Sequence, residues 1–394
     1  LKKLTVHDVL CMGCGMDEMP MATEHWIRDF LHTPVNHTPG TTYMYNSVGS
    51  SILSAIIVKK TGMSMHEYLK PRLYDKIGIF SDNHRWMKMP DGCEVGGGGL
   101  FATTEDNLRL MKLYADGGVW EGERILDDEY VKRATTLQNE SATEAKNNPL
   151  AKDNFVGYGY QIWMCRPNGV YRADGAMGQF TIVVPDKDMI IAITENASGA
   201  HWAQTTLDVM WEFLERIENH PAKEENTEKS ECLKNRMGRL ALPNPKCAPY
   251  SPIAANIEGR QWRVIDGDFY MEDVGVVQHM SGCELPQPID VFCFHFTSDE
   301  IVMDWENREE KERLVIATDG SRRHNTLPGR LISQVLLSGA WISENKLEVK
   351  ARYIETCKEE TLLFTFEEKK IKITNSTMEF GMQKEIEILA EAED

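Results

Sequence analysis

Residues 39–61, PGTTYMYNSVGSSILSAIIVKKT, constrain this chain more than any other stretch, because a turn hands an aromatic residue, Tyr45, directly to the start of a helix. Pro39-Gly40 is a turn dipeptide, Tyr43-Met44-Tyr45 is briefly extended, and Val48, Ile52, Ala55, Ile56 and Lys59 recur at helical spacing. Tyr45 is thereby held at a junction, where a phenol could act chemically. The plainer reading is an aromatic anchor for a helix start, with packing as its only task.

The surrounding organisation reads coarsely. Residues 1–38 suggest a loop and a short helix, MATEHWIRDFL, and 59–79 suggest further helix. EVGGGGL carries four consecutive glycines without the Gly-Lys-Ser/Thr ending of a phosphate loop, so close backbone packing is expected there. Thr103-Thr104-Glu105-Asp106 should cap a helix that Gly117 and Gly118 stop. VYRAD, FTIVVP and MIIAIT, joined by GAMGQ and PDKD, read as an antiparallel meander. HWAQTTLDVMWEFLERI (201–217) places Trp202, Thr206, Val209, Phe213 and Ile217 on one helical face, expected to pack on that sheet.

The polar run 219–231 and the Pro-rich PNPKCAPYSP (243–252) mark a linker over 219–250, between a domain at 1–218 and another at 251–394. In the second domain, RQWRVI, VFCFHF, EIVMDW, ERLVIA, KLEVKARYIE, TLLFTF and KIKITN alternate and are parted by charged turns. Such runs suggest an antiparallel β-sandwich or barrel. Trp305 and Trp341 could line a ligand cup there, with core or rim packing as the plainer reading.

A formal net charge of −18 argues against nucleic acid or an anionic membrane surface as partner, since either would repel it, and no apolar run is long enough to span a bilayer. Nine cysteines, Cys11, Cys14, Cys93, Cys165, Cys232, Cys247, Cys283, Cys293 and Cys357, are scattered without a framework, which favours free thiols and a cytoplasmic setting. Cys11-Met-Gly-Cys14 has no second pair to complete a zinc site, so two small buried residues are expected. His25, His32 and His37 fall at spacings of seven and five, which put no two at the i, i+4 positions of a helix. Neither a metal nor a cofactor is called for.

LTVHDVLCMGCGM (4–16), PGTTYMYNS (39–47), KKTGMSMHEYLKPRLYDKIGI (59–79), GGGGLFATTEDNLRLMKLYADGGVWEGERIL (96–126) and YGYQIWM (158–164) with YRADGAMGQFTIVVPDKDMIIAIT (171–194) occur in one order. In that order they resemble the serine β-lactamase, penicillin-binding protein and esterase family. The resemblance covers residues 1 to about 216. It implies a mixed α/β (α+β) transpeptidase-type fold, an antiparallel sheet flanked by helices, incomplete at its N-terminus.

That family carries a nucleophilic serine in a Ser-x-x-Lys helical turn ahead of the LTVHD-like strap. This chain begins at the strap, and its first 44 residues hold Lys2 and Lys3 but no serine. The nucleophile is therefore expected upstream of this chain, which by itself is expected to be inactive. Ser343-Glu344-Asn345-Lys346 is the sole Ser-x-x-Lys, and its strand-like context marks it as a decoy.

By resemblance, Tyr45 takes the role of general base and acid. Ser47 stands where the family has Asn, donating a hydrogen bond to lysine or substrate. Ala173, Asp174 and Gly175 fall where the family has Lys-Thr-Gly or His-x-Gly, and Ala176 would supply a backbone N–H to the oxyanion, a donor worth about 3 kcal/mol elsewhere. Arg172 should point to the opposite sheet face from Ala173. Asp174 suits a substrate carboxylate poorly, which favours an esterase or amidase acting on a small ester or amide. A solvent-facing Asp174 is the plainer alternative.

The leading expectation is therefore part of a serine hydrolase. An alternative is an inactive relative that binds a small molecule or peptidoglycan fragment, and a third places the function in the β-rich half as an apolar-ligand binder.

Overall fold

The computed structural model describes residues 2–21, 23–81, 84–140, 149–197, 203–219, 227–271, 285–379 and 382–393. Trp202, Cys283 and linker positions 220–226 lie outside them. The chain forms two compact units, one built on Leu1–Leu207, the other on Asp208–Asp273 and Pro286–Asp394.

The first unit opens with a reciprocal cap. Thr5 accepts from the Asp8 N–H while Asp8 accepts from the Thr5 N–H at 2.8 Å, starting helix α1 (Val6–Leu10). The strap that follows is pinned to the tyrosine turn: Gly40 N–H donates to the Gly13 carbonyl at 2.8 Å and Met44 N–H to that of Met12 at 3.0 Å. Gly40 has φ +81, and a Cβ there would come within 2.8 Å of the Asp8 carboxylate. Helix α2 (Trp26–His32) intervenes before the turn.

Helix α3 (Ser47–Thr61) starts where the sequence places it, with Asn46 as N-cap accepting from Gly49 N–H at 2.7 Å. Its buried face differs from the expected apolar one. Val48, Gly49, Ser50, Ser51 and Ser54 are buried, whereas Ile52, Ala55 and Ile56 are half-buried and Lys59 is exposed. The cause is the glycine run. A Cβ on Gly97 would lie 2.1 Å from the Ser47 carbonyl and one on Gly96 2.7 Å from that of Ser50, and Gly97 N–H donates to Ser51 Oγ at 3.2 Å. Two backbones this close admit only small residues on the helix, so the run does serve backbone packing.

Helix α4 (Met65–Leu69) is capped by a Ser64–Glu67 box, and α5 (Thr104–Ala115) by a Thr103–Asp106 box; α6 is Asp128–Ala134. The meander is a four-stranded antiparallel sheet in sequence order: β1 (Trp163–Met164), β2 (Tyr171–Gly175), β3 (Gln179–Val184) and β4 (Met189–Ile193). α5 packs on β3 and β4. Tyr171 and Val183 join Cys11, Met111, Ala134, Tyr160 and Ile162 in one core, with Ala173 against it. Arg172 and Asp174 therefore occupy the other face.

Helix α7 (Gln204–Asn219) corrects a further expectation. Its buried positions are Leu207, Trp211 and Leu214, while Val209 and Phe213 stand 53% and 43% exposed. Both faces carry apolar residues at helical spacing, so the pattern did not choose between them.

In the second unit ten strands form one sheet: β5 (Trp262–Asp266), β6 (Val291–Phe296), β7 (Glu300–Glu306), β8 (Lys311–Ala317), β9 (Arg323–Thr326), β10 (Gln334–Ser343), β11 (Lys346–Tyr353), β12 (Glu359–Phe366), β13 (Lys370–Glu379) and β14 (Met382–Ala392). A parallel pairing of Ala317 with Ser338 joins β8 to β10 and closes nine of them, β9 excepted, into a barrel. Closure removes the exposed edges an open sheet would carry. One buried row, Trp341–Leu347–Phe364–Ile373–Ile388, crosses five strands by direct pairing. Trp341 and Trp305 are each 6% exposed, so both pack.

The crowding at Gly97 has a measurable consequence. Gly97→Ala should destabilise the protein by about 1–3 kcal/mol in urea unfolding, whereas Gly238→Ala, where the added carbon would meet nothing closer than 3.4 Å and the backbone is not left-handed, should change stability far less.

Candidate active site

Tyr45 leaves the turn with its ring 38% exposed, stacked on the Trp163 indole at 5.7 Å and 12°, and edge-on to Tyr158 at 6.4 Å. Trp163 is in turn perpendicular to Tyr158 at 4.8 Å, and Met12, Tyr43, Tyr158 and Trp163 form one buried cluster. The tyrosine ring thus rests on a rigid aromatic bed.

The bed connects it to β2. Trp163 pairs across the strands with Arg172, whose guanidinium lies 5.5 Å from the indole centroid. Arg172 is fully buried. Its Nε donates to Asp174 Oδ2 at 2.8 Å, one terminal nitrogen to Asn154 Oδ1 at 2.7 Å, and the other to the carbonyls of Asp153 and Met164. Burial opposes that charge, and Asp174 with Cys165 overrides it, so the guanidinium stays charged. Asp174 is neither a plain turn residue nor solvent-facing: it lies within β2, one residue before its end, and forms the ion pair, with burial pushing its carboxyl upward against the pull of Arg172.

Gly175 is the last residue of β2, and Ala176 opens the exposed turn after it. A cavity of about 30 Å³ lies beside them, lined by Asn154, Arg172, Asp174, Gly175, Ala176 and Gln204 among others. It has room for about one water. Ser47 occupies the first position of α3, its N–H directed at Met19 Sδ at 3.2 Å. Asn46 is wholly buried as the helix cap, leaving Ser47 as the half-buried polar side chain two residues from Tyr45.

The structure therefore gathers Tyr45 and Asp174 around Trp163 and Arg172, which sequence reasoning did not assign to the site. The available signals were YGYQIWM preceding the strand and the same-face spacing of Arg172 and Asp174. Tyr158 was also missed. Burial, followed by the neighbouring Tyr45 and Asp174, holds its phenol well above the usual range, so it remains protonated.

The decoys also resolve. Ser343 and Lys346 pair across the β10–β11 hairpin, not along a helix. Cys11 and Cys14 are each 1% exposed free thiols, pushed up by burial to about 11 and about 12, unlike an activated thiol pair. His25, His32 and His37 lie on the surface.

Residues 1–209 match the protein family described as Beta-lactamase. Among curated proteins, candidate D-alanyl-D-alanine carboxypeptidases of Salmonella paratyphi B and Salmonella typhimurium are 24% identical, over 28% of this chain and 35% of theirs. The chain spans about a third of the length of these relatives. Among solved structures, a candidate 6-aminohexanoate-dimer hydrolase from Bacillus anthracis aligns with 18% identity and TM-score 0.45, over 56% of this chain and 63% of that one. The octameric penicillin-binding protein homologue from Pyrococcus abyssi aligns with 15% identity and TM-score 0.36, over 98% and 78%.

Removing the buried guanidinium by Arg172→Met should cost about 3–5 kcal/mol by chemical denaturation, and Arg172→Met/Asp174→Leu should recover part of that loss. In native protein, iodoacetamide should label the exposed Cys232 and Cys247, while Cys11, Cys14 and Cys165 react only after unfolding, as peptide mass spectrometry would read.

Proposed function

The chain belongs to the beta-lactamase family, and from that premise we propose that it is part of a serine hydrolase transferring acyl groups from esters or amides. Tyr45 serves as general base and acid, and Ser47 donates a hydrogen bond to the substrate or to the activating lysine. Gly175 lets the acyl group approach β2, and the Ala176 N–H stabilises the oxyanion. The one Ser-x-x-Lys of residues 1–394, Ser343 to Lys346, lies on a β-hairpin, and on this reading these residues alone do not form an acyl-enzyme.

The observation that carries this reading is the common aromatic bed. Tyr45 and the Arg172–Asp174 pair flank the same Trp163 indole, so the tyrosine turn converges with the end of β2. A general base contributes only within reach of the reacting centre, and the convergence supports that placement. The ion pair also leaves no unpaired cation on Arg172 for a carboxylate. This supports a neutral ester or amide over a substrate ending in a free carboxylate, such as the D-alanyl terminus in the Salmonella relatives' name.

The same pairing favours a second reading, a relative that binds such molecules without hydrolysing them. The two separate experimentally on a chain extended by its preceding coding sequence. Hydrolysis predicts an acyl adduct with a fluorophosphonate on a serine ahead of Leu1. It also predicts that Tyr45→Phe lowers kcat on p-nitrophenyl esters about 10²- to 10⁴-fold with little change in KM. An adduct on a serine within residues 1–394, or full activity in Tyr45→Phe, would overturn the assignment. Ligand binding with no adduct would favour the second reading.

A further inference from the structure

On the outer face of the barrel, β6 and β7 bring together three side chains of a kind that binds metal ions. Cys293 and His295 are two residues apart on β6, and Asp304 on β7 pairs directly with Cys293. Alternation along β6 sends Phe292 and Phe294 inward and Cys293 and His295 outward. Their donor atoms lie within 4.8 Å of one another. Cys293 Sγ is 3.7 Å from His295 Nε2, and His295 Nε2 is 3.7 Å from Asp304 Oδ2. Zinc bonds of about 2.3 Å to sulfur and about 2.0–2.1 Å to nitrogen or oxygen give tetrahedral edges of roughly 3.3–3.6 Å. The two measured edges exceed that by little.

The surroundings orient the donors. Glu258 Oε1 is 2.8 Å from His295 Nδ1, and its other oxygen accepts from the Phe296 N–H at 2.8 Å. A carboxylate can only accept, so a neutral His295 carries its proton on Nδ1 and turns the Nε2 lone pair toward Cys293 and Asp304. A carboxylate behind the far nitrogen of a ligating histidine is the usual outer-sphere arrangement. Arg313, the cross-strand partner of Asp304 on β8, holds that carboxylate at 2.6 and 2.9 Å and fixes its plane. Cys293 is buried, while His295 and Asp304 are 44% and 30% exposed, which gives an ion a way in and leaves a fourth position to water.

We propose that Cys293, His295 and Asp304 form a zinc-binding site, with Glu258 and Arg313 positioning two of the ligands. A thiol, an imidazole and a carboxylate together favour a borderline-soft divalent cation over magnesium or calcium. On binding, Cys293 releases its thiol proton to solvent as the zinc–sulfur bond forms. The sequence showed no such site because the ligands follow a strand alternation and a cross-strand pairing, not a Cys-x-x-Cys spacing.

The test uses the full chain, reduced and stripped with EDTA, titrated with Co²⁺ as optical probe and then with Zn²⁺. One equivalent of Co²⁺ should develop a thiolate-to-metal charge-transfer band that Zn²⁺ abolishes stoichiometrically. Cys293→Ser should remove the band, and His295→Ala and Glu258→Gln should each weaken binding about 10- to 100-fold. Absence of the band, or a band undiminished in Cys293→Ser and so arising from another thiol, would overturn the site. Should Cys293→Ser fail to fold by circular dichroism, unchanged affinity in the surface variant His295→Ala would overturn it equally.

Discussion

The first unit is organised around a guanidinium buried away from bulk solvent. Arg172 could not remain charged there without Asp174, and its other nitrogens would be costly orphans without Asn154 and the carbonyls of Asp153 and Met164. Asp153, wholly buried as well, accepts from Arg166 and Gln204 and donates its own N–H to Gln204 Oε1, so β1, β2, the 153–154 segment and the start of α7 are tied into one polar network. Satisfying this network fixes the end of β2 and the indole above it, and the indole fixes the attitude of Tyr45. The site's geometry follows from the burial of one charge.

How much of this was legible depended on range. Caps and turns are local, so the Thr103 cap and the strands from Tyr171 to Ile193 could be read from neighbouring residues. Helix faces are not local. In α3 the isoleucines form the better apolar pattern, yet Gly96 and Gly97, some forty residues on, press their backbone against the serine side and bury it. In α7 the choice between Leu207–Trp211–Leu214 and Val209–Phe213 likewise lies outside the helix. Asp174 illustrates the same limit, since an acidic residue before a glycine turn reads as solvent-facing until its same-face neighbour is known to be buried.

The barrel shows where alternation succeeds and where it stops. Seven of the strands between Trp262 and Glu379 announce themselves by period two, but β9, β10 and β14 do not, β10 because SGA dilutes its apolar pattern with small residues. Gly339 explains the dilution: a Cβ there would meet Ile316 at 2.9 Å, next to the point where β8 and β10 join. The residue that hides the strand from its sequence is also placed where the barrel closes. Without that strand, sandwich and barrel could not be told apart.

Charge at the end of β2 governs which ligands could approach it. A free cation there would attract carboxylates, and a free aspartate would repel them, in a chain whose formal charge is already −18. The 2.8 Å pair presents neither. What remains toward Gly175 and Ala176 is a compact dipole beside backbone amides. Such a surface would discriminate weakly by ligand charge and more by hydrogen-bond geometry, which is what the proposed acyl transfer asks of a site whose carbonyl gains negative charge only as it reacts.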